Sequence, residues 1–350
     1  MNLRAIILTA VLAVVQLYAR DKTDVMVMKN GDRMTCEVKG LGRGVLYVDF
    51  DYIDGTASVN WSKVARLESN QLFHVKTEDG SVYTGTLSTP EAGAGRPVQI
   101  HVVETPEQEI VIEPSRIVRM TPASKKFWKR FNGGINLGVI YSKGNQSTQF
   151  SLGSSTEYVR ERWNAHATYD SNLSSSTGAN VSTRNYLDLG ARRLLPWNNW
   201  FYSGLADFLQ STEQGIGLQS TFGGGIGRYL TNTDHASVAV YGGVAWQTTS
   251  YRQANLPPTE QNVTAALFWT QAKIFKFSKT DFEVTGTLLP ALSDPGRLRF
   301  NTDASYYIKI VSNLKWNISL YGNWDNRPPP GFSGSDYGTS SGITWSFGLK

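Results

Sequence analysis

A chain of 350 residues is long enough for two domains, and its 33 Gly, 16 Tyr, 15 Phe and 10 Trp, with only 18% charged residues, suit a β-rich protein. The formal net charge is +5, yet residues 20–127 carry 14 Lys and Arg against 15 Asp and Glu, which argues against a nucleic-acid partner. No apolar run of about 18 residues occurs beyond the N-terminus, which excludes a helical membrane protein but not a β-barrel, and the single Cys36 excludes an intramolecular disulfide or a cysteine-rich metal site.

The chain opens with Arg4, an apolar run from Ala5 to about Val15, and Leu17-Tyr18-Ala19 before a charged stretch. This is the pattern of a secretory signal peptide over residues 1–19, and it predicts export.

An internal repeat follows. "MKNGDRMTCEVKG" (28–40) matches "KTEDGSVYTGTLS" (76–88), with Gly31 over Gly80. "NWSKVARL" (60–67) matches "EPSRIVRM" (113–120), with Ser62 over Ser115 and Arg66 over Arg119. Asn30-Gly31 and Asp79-Gly80 are hairpin-turn signals, because both central residues of such turns need positive φ. Residues 20–70 and 71–122 therefore read as two small SH3- or Sm-like β-barrel repeats. Cys36 reads as a core residue. Such units commonly bind other proteins or polymers, and a periplasmic protein or peptidoglycan is the expected partner of residues 24–121. The junction 123–130 contains "SKKFWKR", where Phe127 and Trp128 beside four cations suit a phospholipid surface.

From residue 131 to 350 the pattern changes to strands. "NLKWNISLYGNW" (313–324) is the clearest: Leu314, Trp316, Ile318, Leu320 and Trp324 alternate with Lys315, Asn317, Ser319, Tyr321 and Asn323. Twelve such segments can be counted, although the facing of residues 262–275 stays open. Connections such as "TNTD" (231–234) and "IVSN" (310–313) are short. Those such as "NLSSSTGANV" (172–181) and "NRPPPGFSGSD" (326–336) are long. Short turns at one end and long loops at the other are the layout of an outer-membrane barrel. Phe127, Trp128, Trp163, Trp197, Trp200, Trp316, Trp324 and Trp345 are the candidate interfacial aromatics. "GGGIG" (223–227) reads as small residues that let neighbouring side chains pack inside the barrel.

The NGD-containing repeat, the "W-S/P-x-V/I" repeat endings and the C-terminal barrel together resemble the salt-induced outer-membrane protein family (YdiY-like), whose molecular function is unknown. That resemblance implies an envelope or osmotic-stress role and no catalytic residues. One departure concerns recognition by the barrel assembly machinery: barrels of this kind commonly end in an aromatic residue, whereas this chain ends Phe347-Gly348-Leu349-Lys350.

With apolar faces outward, the lumen-facing candidates are Glu157, Arg162, His166, Asp170, Arg184, Asp188, Arg192, Asp207, Glu283, Arg299, Asp303 and Lys315. Both charges are present, which suits ion pairs filling a narrow interior better than a single-sign selectivity filter. A hydrolase would need a nucleophile with a positioned base, and His166 among serines is the one candidate. The sequence thus predicts an all-β, non-enzymatic protein without cofactor or metal. It sits in the outer membrane of a double-membrane bacterium, contacts lipid, and has its repeats in the periplasm. Envelope structure or salt-stress adaptation is the expected role; the alternative is a narrow, weakly selective diffusion channel gated by the repeats.

Overall fold

A computed structural model describes residues 22–89, 100–105, 108–123, 130–142, 147–175, 181–252, 259–276, 279–311, 313–328 and 330–348. The signal peptide, the junction residues Phe127 and Trp128, and the last two residues lie outside them.

The N-terminal strands are β1 (Asp24–Met28), β2 (Arg33–Gly42), β3 (Val45–Asp49), β4 (Thr56–Asn60) and β5 (Val64–Thr77). They continue as β6 (Val82–Ser88), β7 (Ile100–Thr105), β8 (Gln108–Ile112) and β9 (Ile117–Pro122). A 3-10 turn precedes β5 at Trp61–Lys63, and a second precedes β9 at Pro114–Arg116. The order of elements therefore runs twice. Gly31 and Gly80, at φ +95° and +88°, hold the equivalent hairpin turns, where a Cβ would be strained.

The two units are fused. The boundary between them falls inside β5, whose first half pairs with β1 and whose second half pairs with β6 and β9. Because β9 also returns to β2, the strands β1, β2, β9 and β5 close a four-stranded ring, with β3–β4 and β6–β7–β8 extending from it. One apolar core fills this domain. Met26, Leu41, Leu67, Phe73, Val75, Ile117 and Met120 are all buried in it, together drawn from both repeats. Even the 3-10 turns are joined, since Trp61 Nε1 donates to the Pro114 carbonyl at 2.8 Å.

Cys36 is fully buried in that core. Burial first, then the nearby carboxylates of Asp24 and Asp49, push its thiol up to about 12. The thiolate, the form that reacts, is therefore scarce at neutral or mildly basic pH. A thiol reagent at pH 8 is expected to leave the folded protein unlabelled and to label Cys36 stoichiometrically in urea. Rapid labelling of folded protein would contradict the buried placement.

The C-terminal strands are β10 (Phe131–Ser142), β11 (Ser147–Val159), β12 (Trp163–Ser175), β13 (Ser182–Leu194), β14 (Trp200–Ser211) and β15 (Ile216–Asn232). The remaining six are β16 (Ala236–Tyr251), β17 (Thr259–Lys276), β18 (Thr280–Pro290), β19 (Leu298–Val311), β20 (Leu314–Asp325) and β21 (Ser335–Phe347). Each pairs antiparallel with the next, and β10 pairs with β21, so the barrel closes with twelve strands and no free edge. Strands of 11 to 18 residues meet or exceed the 9–11 that cross a bilayer at a tilt.

The outward face is apolar along its length. Leu137, Val139, Val244, Phe268, Ile274, Leu320 and Trp345 are each at least half exposed. An apolar belt of this extent would be unstable in water and marks a lipid-facing surface. Trp163, Trp197, Trp200, Trp316 and Trp345 ring the short-turn end of this belt, and Trp324 lies at the long-loop end. Residues 262–275 now have a facing. Val263, Ala265 and Leu267 are buried inside, while Phe268 and Ile274 point out.

Inside, Phe201, Tyr241, Leu267 and Leu289 form an apolar cluster against β14–β18. Glycines make room for it. A Cβ on Gly223 would lie 3.2 Å from Leu267, and one on Gly227 would overlap the Phe201 ring. The barrel interior is thus partly filled by apolar side chains, beside the polar ones.

Candidate functional site

Alternation of side chains places eleven of the twelve charged candidates on the inner face of the barrel strands. Arg162 is the exception; it lies in the short turn 160–162, before β12 begins. The others fall at three levels along the barrel axis.

At the long-loop end, Asp325 is held by two guanidiniums. Arg297 Nη2 donates to its Oδ2 at 2.6 Å and Arg299 Nε at 2.9 Å. Arg297 is 3% exposed and also donates to Tyr251. It sits in a loop outside any alternating run, so sequence reasoning passed over it. Arg184 lies close by, with its guanidinium 4.2 Å from the Tyr321 ring centre.

The middle level is acidic. Asp188 and Asp207 are direct register partners on β13 and β14. Asp170 and Asp303 lie within electrostatic reach of them. His166 Nε2 is 2.8 Å from Asp188 Oδ1. Gly190, opposite His166, leaves space that a Cβ would take from the imidazole. Among the described residues no serine hydroxyl hydrogen-bonds to the His166 ring.

The short-turn end is where the two domains meet. The hairpin turn between β2 and β3 carries Arg43, at φ +55°, and Gly44, at φ +68°. Gly44 packs against the barrel turn 233–235, where a Cβ would come 3.3 Å from the Asp234 carbonyl oxygen. Arg43 enters the barrel mouth: its Nη1 donates to Asp281 Oδ2 at 2.8 Å, and its guanidinium lies 5.2 Å from the Phe275 ring centre. The same Asp281 oxygen accepts from Lys315 Nζ at 2.7 Å.

A second hairpin turn, between β5 and β6, sits on the barrel turn 195–199. Asn199, itself at φ +60°, donates from Nδ2 to the Glu78 carbonyl. Gly80 is required by this fit, since a Cβ there would lie 2.8 Å from Asn199 Oδ1. Beside it, Lys76 places its ammonium 4.9 Å from the Tyr229 ring centre, and Tyr229 accepts from Arg192 Nη1 at 2.7 Å. Arg119 reaches Glu157 at 3.6 Å, Lys273 pairs with Glu283 at 2.7 Å, and Lys309 donates to Ser58 at 3.2 Å.

The N-terminal domain therefore contributes three cations, Arg43, Lys76 and Arg119, to the barrel's short-turn mouth. The turn glycines were legible in the sequence, but what they dock against was not. Glu157, Arg192, Glu283 and Lys315 are drawn into this junction, Asp281 with them, while His166, Asp170, Asp188, Asp207 and Asp303 remain in mid-barrel.

The architecture is that of an outer-membrane β-barrel. The NanC porin is similar over 62% of this chain and 100% of its own, at 13% identity and a TM-score of 0.39. The translocator domain of the autotransporter NalP from Neisseria meningitidis is similar over 62% of this chain and 87% of its own, at 12% identity and a TM-score of 0.37. CdiB from Acinetobacter baumannii is similar over 79% of this chain and 66% of its own, at 7% identity and a TM-score of 0.36. No curated protein matches the chain. The family model described as "Protein of unknown function, DUF481" matches residues 135–347, from β10 to the end of β21, and the chain belongs to that family.

Proposed function

We propose that this protein is a narrow outer-membrane passage whose own N-terminal domain closes its periplasmic mouth. The observation that carries the reading is Arg43, which leaves the N-terminal domain, enters the barrel mouth and pairs with Asp281 inside it. Barrels of this class have their short turns in the periplasm, so the domain docked on those turns is periplasmic in this reading. Charge complementarity holds the two together: Arg43 and Arg119 face Asp281 and Glu157. The passage operates without catalysis or a cofactor, and His166, bound to Asp188, has a structural role in it.

The apolar cluster of Phe201, Tyr241 and Leu267 favours a second reading, because side chains that fill the interior also serve a barrel that conducts nothing. In that reading the barrel anchors the N-terminal domain for contact with peptidoglycan or a periplasmic protein, and the role is envelope structure under salt stress.

Planar-bilayer recordings of the full-length protein and of a version beginning at Ser124 separate the two. Discrete steps from the shortened protein, with the full-length protein mostly closed, are the expected result. Equal conductance from both would remove the closing role of the N-terminal domain. Silence from both, with heat-modifiable migration on gels confirming a folded barrel, would retire the passage in favour of the anchor.

A further inference from the structure

Apolar side chains occupy the β14–β18 side of the barrel interior. At the long-loop end, against β11–β13 and β20–β21, lies a cavity of about 300 Å³. This size is at the lower bound for pockets that hold small molecules.

The cavity is built by strand register. Gln149 on β11 stands opposite Ser174 on β12, and Ser174 stands opposite Ser182 on β13. One step deeper, Asn172 stands opposite Arg184. Three adjacent strands thus present amide and hydroxyl groups on a single curved wall.

The floor is charged but already satisfied. Arg184 is 5% exposed, and its Nε and Nη2 reach the Asn323 amide oxygen at 3.1 and 3.2 Å when that amide is turned to face it. Its guanidinium stacks on Tyr321, whose ring lies over Gly338; a Cβ there would come 2.7 Å from the ring. Asp336 is 6% exposed and accepts from Ser211 Oγ at 2.7 Å. The wall is different. The side chains of Asn172, Ser174 and Ser182 have no hydrogen-bond partner in the protein among the described residues.

The lining decides the ligand class. An apolar guest would strand the wall's amide and hydroxyl groups, stripping them of water without replacing its hydrogen bonds. An anion would meet Glu213 and Asp336, two carboxylates against the one guanidinium of Arg184. A neutral molecule with several hydroxyls, each able to donate and accept, satisfies the wall without disturbing the floor. We infer that this cavity is a binding site for a neutral saccharide at the long-loop mouth. The inference is independent of whether the barrel conducts.

Calorimetric titration of the full-length protein in detergent micelles tests it, with maltotriose and N,N′,N″-triacetylchitotriose as neutral probes and trigalacturonate as an anionic probe of like size. Saturable binding of at least one neutral trisaccharide is expected, with trigalacturonate at least tenfold weaker. Asn172→Ala and Ser182→Ala, each checked for heat-modifiable migration, should each weaken the neutral sugar about threefold to tenfold. Absence of heat with both neutral probes overturns the proposal. Equal binding of trigalacturonate overturns the charge argument, and undiminished binding by both folded variants overturns the location.

Discussion

Truncating Phe73 to alanine is expected to unfold the N-terminal domain while leaving the barrel standing. Phe73 is fully buried on β5, at the centre of a core that both repeats supply. Phe→Ala changes at such sites cost about 3–5 kcal/mol, through lost transfer energy and the cavity left behind. A small domain has only about 5–15 kcal/mol in total, so this single change removes much of its margin. Cys36 reports the outcome directly, since it is the only cysteine and lies in the same core. In Phe73→Ala it should react with thiol reagent at pH 8 without denaturant, while the barrel keeps its heat-modifiable migration. A Cys36 that stays shielded would mean the core tolerates the cavity. A barrel that loses heat-modifiability would mean the two domains do not fold separately.

Arg43→Glu addresses the contact between the domains. It replaces an ion pair with two facing carboxylates, and Asp281 is the more buried of the original partners, at 16% against 41% side-chain exposure. With Arg43 that exposed, the combined loss is roughly 1–3 kcal/mol, a change of about fivefold to 150-fold in the ratio of docked to undocked mouth. Asp281→Arg should give a similar loss, because it also strips Lys315 of its partner at 2.7 Å. Combining the two reversals should restore docking in part, with Lys315 as the residual cost. Open probability in planar bilayers, read over all four proteins, gives the coupling between the two residues. Additive effects with no rescue would show that this pair does not hold the mouth.

The barrel was legible in the sequence because lipid and lumen impose opposite chemistry on alternate residues. Val238, Val240, Val244 and Trp246 on β16, or the outward set of β20, leave no second solution. That contrast disappears on β17. Ala265 and Leu267 face an apolar cluster inside, while Phe268 and Ile274 face outward, so both faces of this strand are apolar and periodicity has nothing to separate. The lumen candidates came from the same alternation, which gives a side chain its face but not its partner. Asp281 was passed over although it takes both Arg43 and Lys315, and Arg297 was passed over because it lies in a loop. Asp79-Gly80 was recognisable as a turn. That it rests on Asn199 is a contact across 119 positions of sequence, and short-range turn chemistry carries no trace of it.

The fused repeat has a consequence for how such a cap could leave the mouth. The ring β1–β2–β9–β5 takes strands from both ends of the domain, and β5 belongs to both halves at once. Peeling away either repeat breaks the ring for the other, so no stable intermediate exists in which one half stays docked and the other swings free. On the reading proposed above, the domain withdraws as one body or stays in place. Opening would then be an all-or-none event with two current levels, and the sensitivity of the switch would reside in the few contacts at the rim rather than in any softness of the lid itself.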